Sequence, residues 1–182
     1  MPDLPPGGCA PRSLLCRLYR LPRSHDSGSR PRMRALLQRV SSASLTIDGT
    51  PSSTMGEGLV LFIGIEDSDT QEDAAWLVRK ILSLRLFGAV NRPPHQTVLE
   101  AGRTCMVISQ FTLHASTRKG TRPSYHRAAS PDHAQPLFES TVRMFRDTPD
   151  LTCHSGRFGS YMEVGLVNDG PVTLWIDTKV RE

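Results

Sequence analysis

The sequence changes from apolar to polar at the end of one predicted strand. Residues 106–108 are wholly apolar, and Ser109, Gln110 and Thr112 follow at once around Phe111. Hydroxyl and amide side chains at a strand end most often cap the backbone. A hydroxyl such as that of Thr112 can also attack an acyl group, so the segment is the first candidate for a catalytic site.

A serine–histidine pair is a second possibility, because Ser109 and His114 lie close together in the sequence. Residues at an odd spacing fall on opposite faces of an extended strand, so the pair could meet only if the chain bends after Leu113. The sequence contains no G-x-S-x-G, H-E-x-x-H, phosphate-binding or dinucleotide-binding glycine motif. A serine esterase acting on small substrates therefore stays open as one hypothesis.

The segment after this strand, residues 114–130, is polar and basic and is punctuated by glycine and proline, which predicts a loop. Its cations are Arg118, Lys119, Arg122 and Arg127. A solvated surface loop is the simplest interpretation. The alternative is a loop that contacts phosphates, which would supply affinity without reading a base sequence.

A third candidate is the stretch "NDGP" at residues 168–171. Asp169 and Gly170 are typical of a hairpin turn, and the β-branched residues that follow are typical of a strand. Pro171 cannot donate a backbone hydrogen bond where that strand should start to pair. A cis Gly170–Pro171 bond would turn two backbone carbonyls to one side, and a residue without Cβ would leave them open to a ligand.

The basic character of the chain belongs to its N-terminal segment. Residues 1–32 carry six arginines and two aspartates, so the rest of the chain holds 16 of the 22 Lys and Arg residues and 16 of the 18 Asp and Glu residues. The body from residue 33 onward is thus neutral, and the pI alone does not argue for nucleic-acid binding. The four cysteines form no C-x-x-C pair, which disfavours zinc and fits a reducing compartment.

Hydrophobic periodicity predicts an α+β fold. Strands are predicted at residues 35–40, 43–47, 58–65, 104–113, 161–167 and 171–177, with a hairpin turn at Asp48–Gly49 and another at 168–170. Residues 88–103, which contain Pro93–Pro94, are predicted to be a loop or an edge hairpin. One helix should begin after a capping box of Thr70 and Asp73, and another should begin with Ser130 as N-cap and Pro131 as first residue. Pro136 should kink this second helix or delay its start. The sequence therefore predicts a single domain with a mixed, barrel-like sheet of about seven strands and two main helices.

Several motifs in register resemble one family. They are "MRALLQRVSSASLTIDG", "GLVLFIGIE", "SQFTL", "TRKGTRPS", "GRFGSYM" and "NDGPVT", which together span about residues 33–177. This set is similar to the D-aminoacyl-tRNA deacylases, also called D-tyrosyl-tRNA deacylases. The resemblance implies a homodimer that hydrolyses the ester between a D-amino acid, or glycine, and the terminal adenosine of tRNA. It implies no metal, no organic cofactor and no membrane partner.

The resemblance also implies a role for the third candidate. Gly170 and Pro171 match the family's Gly-cis-Pro pair, which enters the active site of the other subunit. Its carbonyls would face the chiral centre, so that an L side chain collides while hydrogen or a D substituent is accepted. Arg39 matches the arginine that holds this pair from its own chain.

The remaining site residues follow from the other motifs. Ser109, Gln110, Phe111 and Thr112 match the floor of the pocket. Thr112 is the nucleophile candidate by its chemistry, whereas the resemblance favours backbone amides near Phe111 and Thr112 as oxyanion donors, with the 2′-hydroxyl of the RNA assisting. Phe158 and Met162 resemble positions beside the adenosine and the aminoacyl group.

Residues 1–32 are predicted to be a disordered or targeting extension, and residues 33–182 the deacylase domain. The predicted location is cytoplasmic, with import into a mitochondrion or other organelle as the alternative. A nucleic-acid-binding module without turnover is the alternative function. Residues 88–95 depart from the acidic, glycine-containing turn usual in the family, which leaves their local structure open.

Overall fold

The computed structural model describes residues 33–88 and 93–179, so the prediction for residues 1–32 lies outside the described residues. The strands in these ranges are β1 (Arg34–Ile47), β2 (Thr50–Met55), β3 (Gly58–Gly64), β4 (Thr104–Ser109), β5 (Cys153–Ser155) and β6 (Met162–Asp177). The helices are α1 (Gln71–Ser83) and α2 (Pro131–Arg146), and a short 3-10 helix covers Phe111–His114.

Strand β1 organises the sheet. It pairs antiparallel with β6 along one edge, and with β3 and then β2 along the other. The two predicted strands 35–40 and 43–47 are one strand, and the separation between them was wrong. The register with β6 shifts on both sides of Val40, and the buried positions there are three residues apart, from Leu37 to Val40 and from Val40 to Ala43, without ending the strand. The predicted hairpin at Asp48–Gly49 is confirmed, with both residues at positive φ.

The predicted hairpin around residues 168–170 is also wrong. Strand β6 continues through it in one direction, and its pairing with β1 resumes on the far side. Val40 of β1 faces Asn168 and Gln38 faces Thr173, so residues 169–172 bulge out of the strand opposite a single β1 residue. Turn-forming residues therefore build a protruding bulge here, because long-range pairing on both sides overrides the local turn signal.

Strands β3, β4 and β5 run parallel and supply the apolar centre of the sheet. Strand β4 ends at Ser109, whereas the sequence predicted a strand as far as Leu113. The amide of Gln110 still bonds the carbonyl of Ile63 at 2.7 Å, but the chain then turns into the 3-10 helix. Gly64 permits this close packing, since a Cβ there would lie 2.9–3.0 Å from His114, Gln110 and Leu113.

Both helices begin where the sequence indicates. The side chain of Thr70 accepts from the amide of Asp73, and the Asp73 carboxylate accepts from the amide of Thr70, so the predicted capping box is present. Ser130 is the N-cap of α2 and Pro131 its first residue, and the helix continues past Pro136 without a delayed start. One face of α2 is buried, at the spacing typical of an amphipathic helix: Ala134, Leu137, Phe138, Thr141, Val142 and Phe145.

The α+β prediction is confirmed. One domain is built on a mixed, nearly closed sheet with two helices packed against it, and the described part of the chain has six strands where about seven were predicted. Residues 88–103 were expected to be a loop or an edge hairpin. Phe87 and Gln96 form an isolated antiparallel bridge, and residues 89–92 lie outside the described residues.

One buried carboxylate near α1 makes stability depend on pH. The side chain of Asp69 is 1% exposed, its Oδ2 accepts from the amide of Glu66 at 2.8 Å, and its Oδ1 has no hydrogen-bond partner among the described residues. Burial raises the pKa of Asp69 to about 7. Because the folded pKa lies above the unfolded value, the stabilisation belongs to the protonated form and is lost as pH rises from about 4 to about 7.

Asp69→Asn is therefore expected to stabilise the protein more at pH 8 than at pH 5. The amide oxygen still accepts from Glu66, while the buried charge disappears. The gain in unfolding free energy should be larger at pH 8 by about 2–3 kcal/mol, measured by urea unfolding at both pH values. An equal effect at the two pH values would show that Asp69 does not titrate in this range.

Candidate active site

An open pocket lies at the C-terminal ends of β3 and β4. It is lined by Ile63, Ile65, Ser109, Gln110, Phe111, Ala129, Ala134 and Phe158. The carboxyl ends of neighbouring parallel strands meet at one edge of the sheet, which brings the polar segment after β4 beside the end of β3. Three of the four predicted catalytic residues, and one of the predicted substrate-binding residues, thus share one cavity.

Thr112 lies in the 3-10 helix directly after this lining. Its hydroxyl accepts a hydrogen bond of 2.6 Å from the side-chain amide of Gln110. The backbone amide of Thr112 donates to no described residue, as expected at the start of a helical turn. The hydroxyl is thus bonded to an amide and not to a base, while a backbone donor is left available beside the pocket.

His114 does not activate a nucleophile. Its side chain is fully buried, and neither ring nitrogen makes a hydrogen bond of good geometry with a described residue. Nδ1 lies 3.8 Å from the carboxylate of Glu66, and burial lowers the pKa of His114 to about 4. The dyad with Ser109 is therefore absent, because the 3-10 helix turns His114 into the protein behind Gly64.

Arg34 holds the 3-10 helix from the side, a contact that the sequence analysis missed. Its Nη1 donates to the carbonyl of Leu113 at 2.9 Å, and its Nε donates to Asp177 at 3.2 Å. Its guanidinium also lies 5.4 Å from the centre of the Trp175 ring. The only sign in the sequence was an arginine at the start of a largely apolar strand, which does not reveal the residues that Arg34 contacts.

The two residues predicted beside the adenosine and the aminoacyl group, Phe158 and Met162, occupy different positions. Phe158 lines the pocket, and its ring centre lies 6.1 Å from that of Phe138. Met162 is not part of the lining. Its sulfur lies over Gly156, where a Cβ would come within 2.5 Å of it, and Met162 packs with the apolar cluster that includes Ile108.

The bulge of β6 presents Gly170 and Pro171 to solvent. Both residues are exposed, and the bond between them is cis. Asn168 closes the base of the bulge, since its side-chain amide donates to the carbonyls of Arg39 at 2.9 Å and Val172 at 3.1 Å. The segment is thus held at its base while its tip points away from the sheet.

Arg39 ties the bulge to the rest of the chain. Its Nε lies 2.8 Å from the carboxylate of Asp169, in the geometry of an ion pair and not of a hydrogen bond. Its Nη1 donates to the carbonyl of Leu86. The exposed fraction of the Arg39 side chain is only 16%, so a largely buried cation anchors an exposed loop.

The bulge is not part of this chain's own pocket. Arg39 pairs with Leu59 in β3, whereas the pocket begins at Ile63, four residues further along the same strand. That spacing corresponds to about 13 Å along the strand. Gly170 and Pro171 are absent from the lining.

Two further observations concern cofactors and membranes. Among residues 33–88 and 93–179, no three His, Cys, Asp or Glu side chains cluster as metal ligands would. No helix in the same ranges is long and apolar enough to cross a membrane. The prediction that the activity needs no metal or organic cofactor stays a prediction.

Comparison with known proteins decides the family. Residues 36–177 match the profile of the family described as D-Tyr-tRNA(Tyr) deacylase. The chain belongs to this family. Among curated members of the D-aminoacyl-tRNA deacylases, the protein of Flavobacterium johnsoniae is 47% identical over 150 residues, and that of Chromobacterium violaceum is 46% identical over 150 residues. Each alignment covers 82% of this chain and 100% of the relative.

Two solved structures have a similar fold. A protein named c-Myc DNA Unwinding Element Binding Protein is 35% identical, with a TM-score of 0.72, over 79% of this chain and 97% of its own. A structure described as a probable eukaryotic D-amino acid tRNA deacylase superposes with a TM-score of 0.70, over 80% of this chain and 99% of its own. At 19% identity, the second supports the fold alone. The family predicted from the motifs is confirmed.

Proposed function

We propose that this protein hydrolyses the ester bond of D-aminoacyl-tRNA, and of glycyl-tRNA, to release the amino acid and free tRNA. As a member of the deacylase family it is a hydrolase that acts on charged tRNA. The observation that carries the finer proposal is the Gly170–Pro171 bulge, which is exposed, anchored by Arg39 and separated from its own chain's pocket. Such an element is suited to act in a second subunit.

The proposed assembly is a homodimer. Strand β6 pairs only with β1 among the described strands, so its outer edge offers unpaired backbone groups along 16 residues. The largest exposed apolar side chains of the described chain lie on or beside this strand: Tyr161 at 65%, Val167 at 58% and Trp175 at 51%. An exposed edge with large apolar side chains is typical of a surface that a second copy covers.

In this assembly the bulge of one subunit would close the pocket of its partner. The backbone carbonyls of Gly170 and Pro171 would lie against the α-carbon of the bound aminoacyl group. A D side chain or a hydrogen points away from them, whereas an L side chain collides. Selectivity then comes from rejection of the L form, and it needs no tight binding of any D side chain.

The proposed chemistry uses backbone and RNA groups. An aminoacyl ester is already activated, so orientation, a donor to the developing oxyanion and a water molecule can suffice. The backbone amide of Thr112, which donates to no described residue, would donate to the oxyanion, and the family resemblance adds the backbone amide of Phe111 as a second donor. The 2′-hydroxyl of the terminal adenosine would assist the water, since the Thr112 hydroxyl is bonded to Gln110 and His114 is buried. Phe158 would contact the adenosine from the pocket wall, and Met162 would lie further out.

Deacylation of matched D- and L-tyrosyl-tRNA tests this function. Purified protein is expected to release D-tyrosine and glycine from their tRNAs and to act on L-Tyr-tRNA more slowly than on D-Tyr-tRNA by more than about 100-fold. Equal rates on the two enantiomers would show that the protein does not reject the L form. A serine esterase would instead label Ser109 with a fluorophosphonate, which we do not expect.

The second candidate is a nucleic-acid-binding module without turnover. It is favoured by the name of the c-Myc DNA Unwinding Element Binding Protein and by the four cations of residues 118–127. This function predicts steeply salt-dependent binding to any duplex and no ester cleavage.

The cytoplasmic location, and organellar import as its alternative, stay predictions because residues 1–32 lie outside the described residues.

A further inference from the structure

The loop between the 3-10 helix and α2 concentrates positive charge beside the pocket. We call residues 116–127 the basic loop. Arg118, Lys119, Arg122 and Arg127 are all exposed, and no acidic residue occurs from 115 to 131. None of the four forms an ion pair with a described residue, whereas the exposed Arg85, Arg103 and Arg157 each face a carboxylate. In a body whose net charge is zero, this is a local excess of four cations.

The basic loop is fixed to the pocket at both ends. Ser116 and Ser124 exchange two backbone hydrogen bonds of 2.7 and 2.9 Å, which close the loop at its base. The ring of Tyr125 meets that of Phe111 edge to face, with centres 5.1 Å apart. Beyond the loop, the amide of Ala129 bonds the carbonyl of Ile65 at 2.9 Å, and both residues line the pocket. The cations therefore stand at the pocket's rim.

The chemistry of the basic loop fits a phosphate backbone and not a base sequence. Guanidinium and ammonium groups neutralise phosphates, and this contact does not depend on the bases. Two rings of the basic loop could stack on a base: that of Tyr125 is half-buried and already contacts Phe111, and that of His126 is exposed, with its Nδ1 2.9 Å from the Ser124 hydroxyl. Stacking on either ring would not read a base sequence, because every base offers a flat aromatic face. A substrate held in the pocket by its 3′ end would continue over this rim as nucleic-acid backbone.

We infer that the basic loop binds the backbone phosphates of the tRNA acceptor stem and so sets the affinity for the RNA body, separately from the pocket that performs the chemistry. This inference rests on the proposed function for its substrate. It assigns the loop to binding and leaves ester hydrolysis to the pocket. Removal of its charges should consequently raise KM and leave kcat almost unchanged.

A charge-neutralised variant tests the inference. The triple change Arg118→Gln, Lys119→Gln and Arg122→Gln removes three of the four cations. The matched control removes three cations from the helices, with Arg79→Gln, Lys80→Gln and Arg143→Gln. The measurements are the Kd of uncharged tRNA at several KCl concentrations, KM and kcat for D-Tyr-tRNA, and kcat/KM for the phosphate-free D-tyrosyl ester of adenosine.

The loop variant is expected to bind uncharged tRNA about tenfold or more weakly, with a salt dependence of log Kd shallower by about 2–3. Its kcat on D-Tyr-tRNA and its activity on the adenosine ester should match wild type, and the helix control should match wild type throughout. An unchanged Kd and salt slope, or an equal weakening in the helix control, would overturn the inference. If wild type binds tRNA through the loop but cleaves no ester, the proposed function fails and the inference about the surface survives.

Discussion

D-Tyr-tRNA whose terminal adenosine lacks the 2′-hydroxyl is expected to be hydrolysed about 100- to 10,000-fold more slowly than the natural substrate. The reason is that no described side chain beside the pocket is placed as a base. The Thr112 hydroxyl accepts from the Gln110 amide, and His114 is buried with its pKa lowered to about 4. Proton transfer in the transition state would then depend on the 2′-hydroxyl of the RNA. Loss of this hydroxyl should lower the rate constant of the chemical step, measured under single-turnover conditions.

Thr112→Ala is the matched control for this experiment. It removes the hydroxyl but keeps the backbone amide, so activity on the natural substrate should stay within about tenfold of wild type. Binding of tRNA, measured in parallel, separates a catalytic loss from a loss of affinity. Complete inactivation of Thr112→Ala, with the deoxy substrate cleaved normally, would contradict RNA assistance and favour a side-chain nucleophile.

Gly170→Ala is expected to lower kcat/KM for D-Tyr-tRNA by about 100-fold while leaving the fold intact. Among the described residues, a Cβ at this position comes within 4 Å only of the side-chain oxygen of Asn168, at 3.8 Å. Gly170 also has no positive φ that would strain an alanine. Any large effect would therefore arise from contact with another molecule, which in our proposal is the substrate in the partner's pocket.

Gly56→Ala is a control of the same kind. A Cβ on Gly56 meets no atom of the part of the chain that the structure describes within 4 Å, and its φ is not positive, but it lies in the turn between β2 and β3. This variant should keep wild-type activity, and both variants should unfold at the wild-type temperature. Equal kcat/KM in Gly170→Ala and Gly56→Ala would show that the tip of the bulge touches no substrate.

Local chemistry was sufficient to predict the helices from the sequence. The capping box of Thr70 and Asp73, and the Ser130–Pro131 start of α2, act within a few residues and need no tertiary information. The parallel strands β3 and β4 were equally predictable as continuous apolar runs, because both of their faces are covered.

Long-range pairing is what the sequence could not convey. The "NDGP" stretch has the composition of a hairpin turn, yet β1 pairs with β6 on both sides of it and makes it a bulge. The predicted end of β4 was wrong for a similar reason. The packing space left by Gly64 of β3 allows the 3-10 helix that buries His114. Neither partner strand is adjacent in sequence to the segment whose shape it decides.

The residues of the candidate site were also predictable only where they are close together in the sequence. Ser109, Gln110 and Phe111 are consecutive, so one segment brings them to the pocket together. The position of Gly170 and Pro171 outside that pocket depends on the register of β1 with β3, which no spacing in the sequence reveals. Arg34 was missed because its partners, Leu113 and Asp177, come from two distant segments.

Subunit mixing tests most directly whether the bulge of one chain acts in the pocket of the other. A heterodimer would combine one chain carrying Gly170→Ala with one carrying Ser109→Phe, which fills the pocket from its own wall. Each variant alone should be nearly inactive. We expect about half the wild-type rate on D-Tyr-tRNA in the purified heterodimer, because one intact pocket then receives one intact bulge. A heterodimer as inactive as its parents would contradict this expectation.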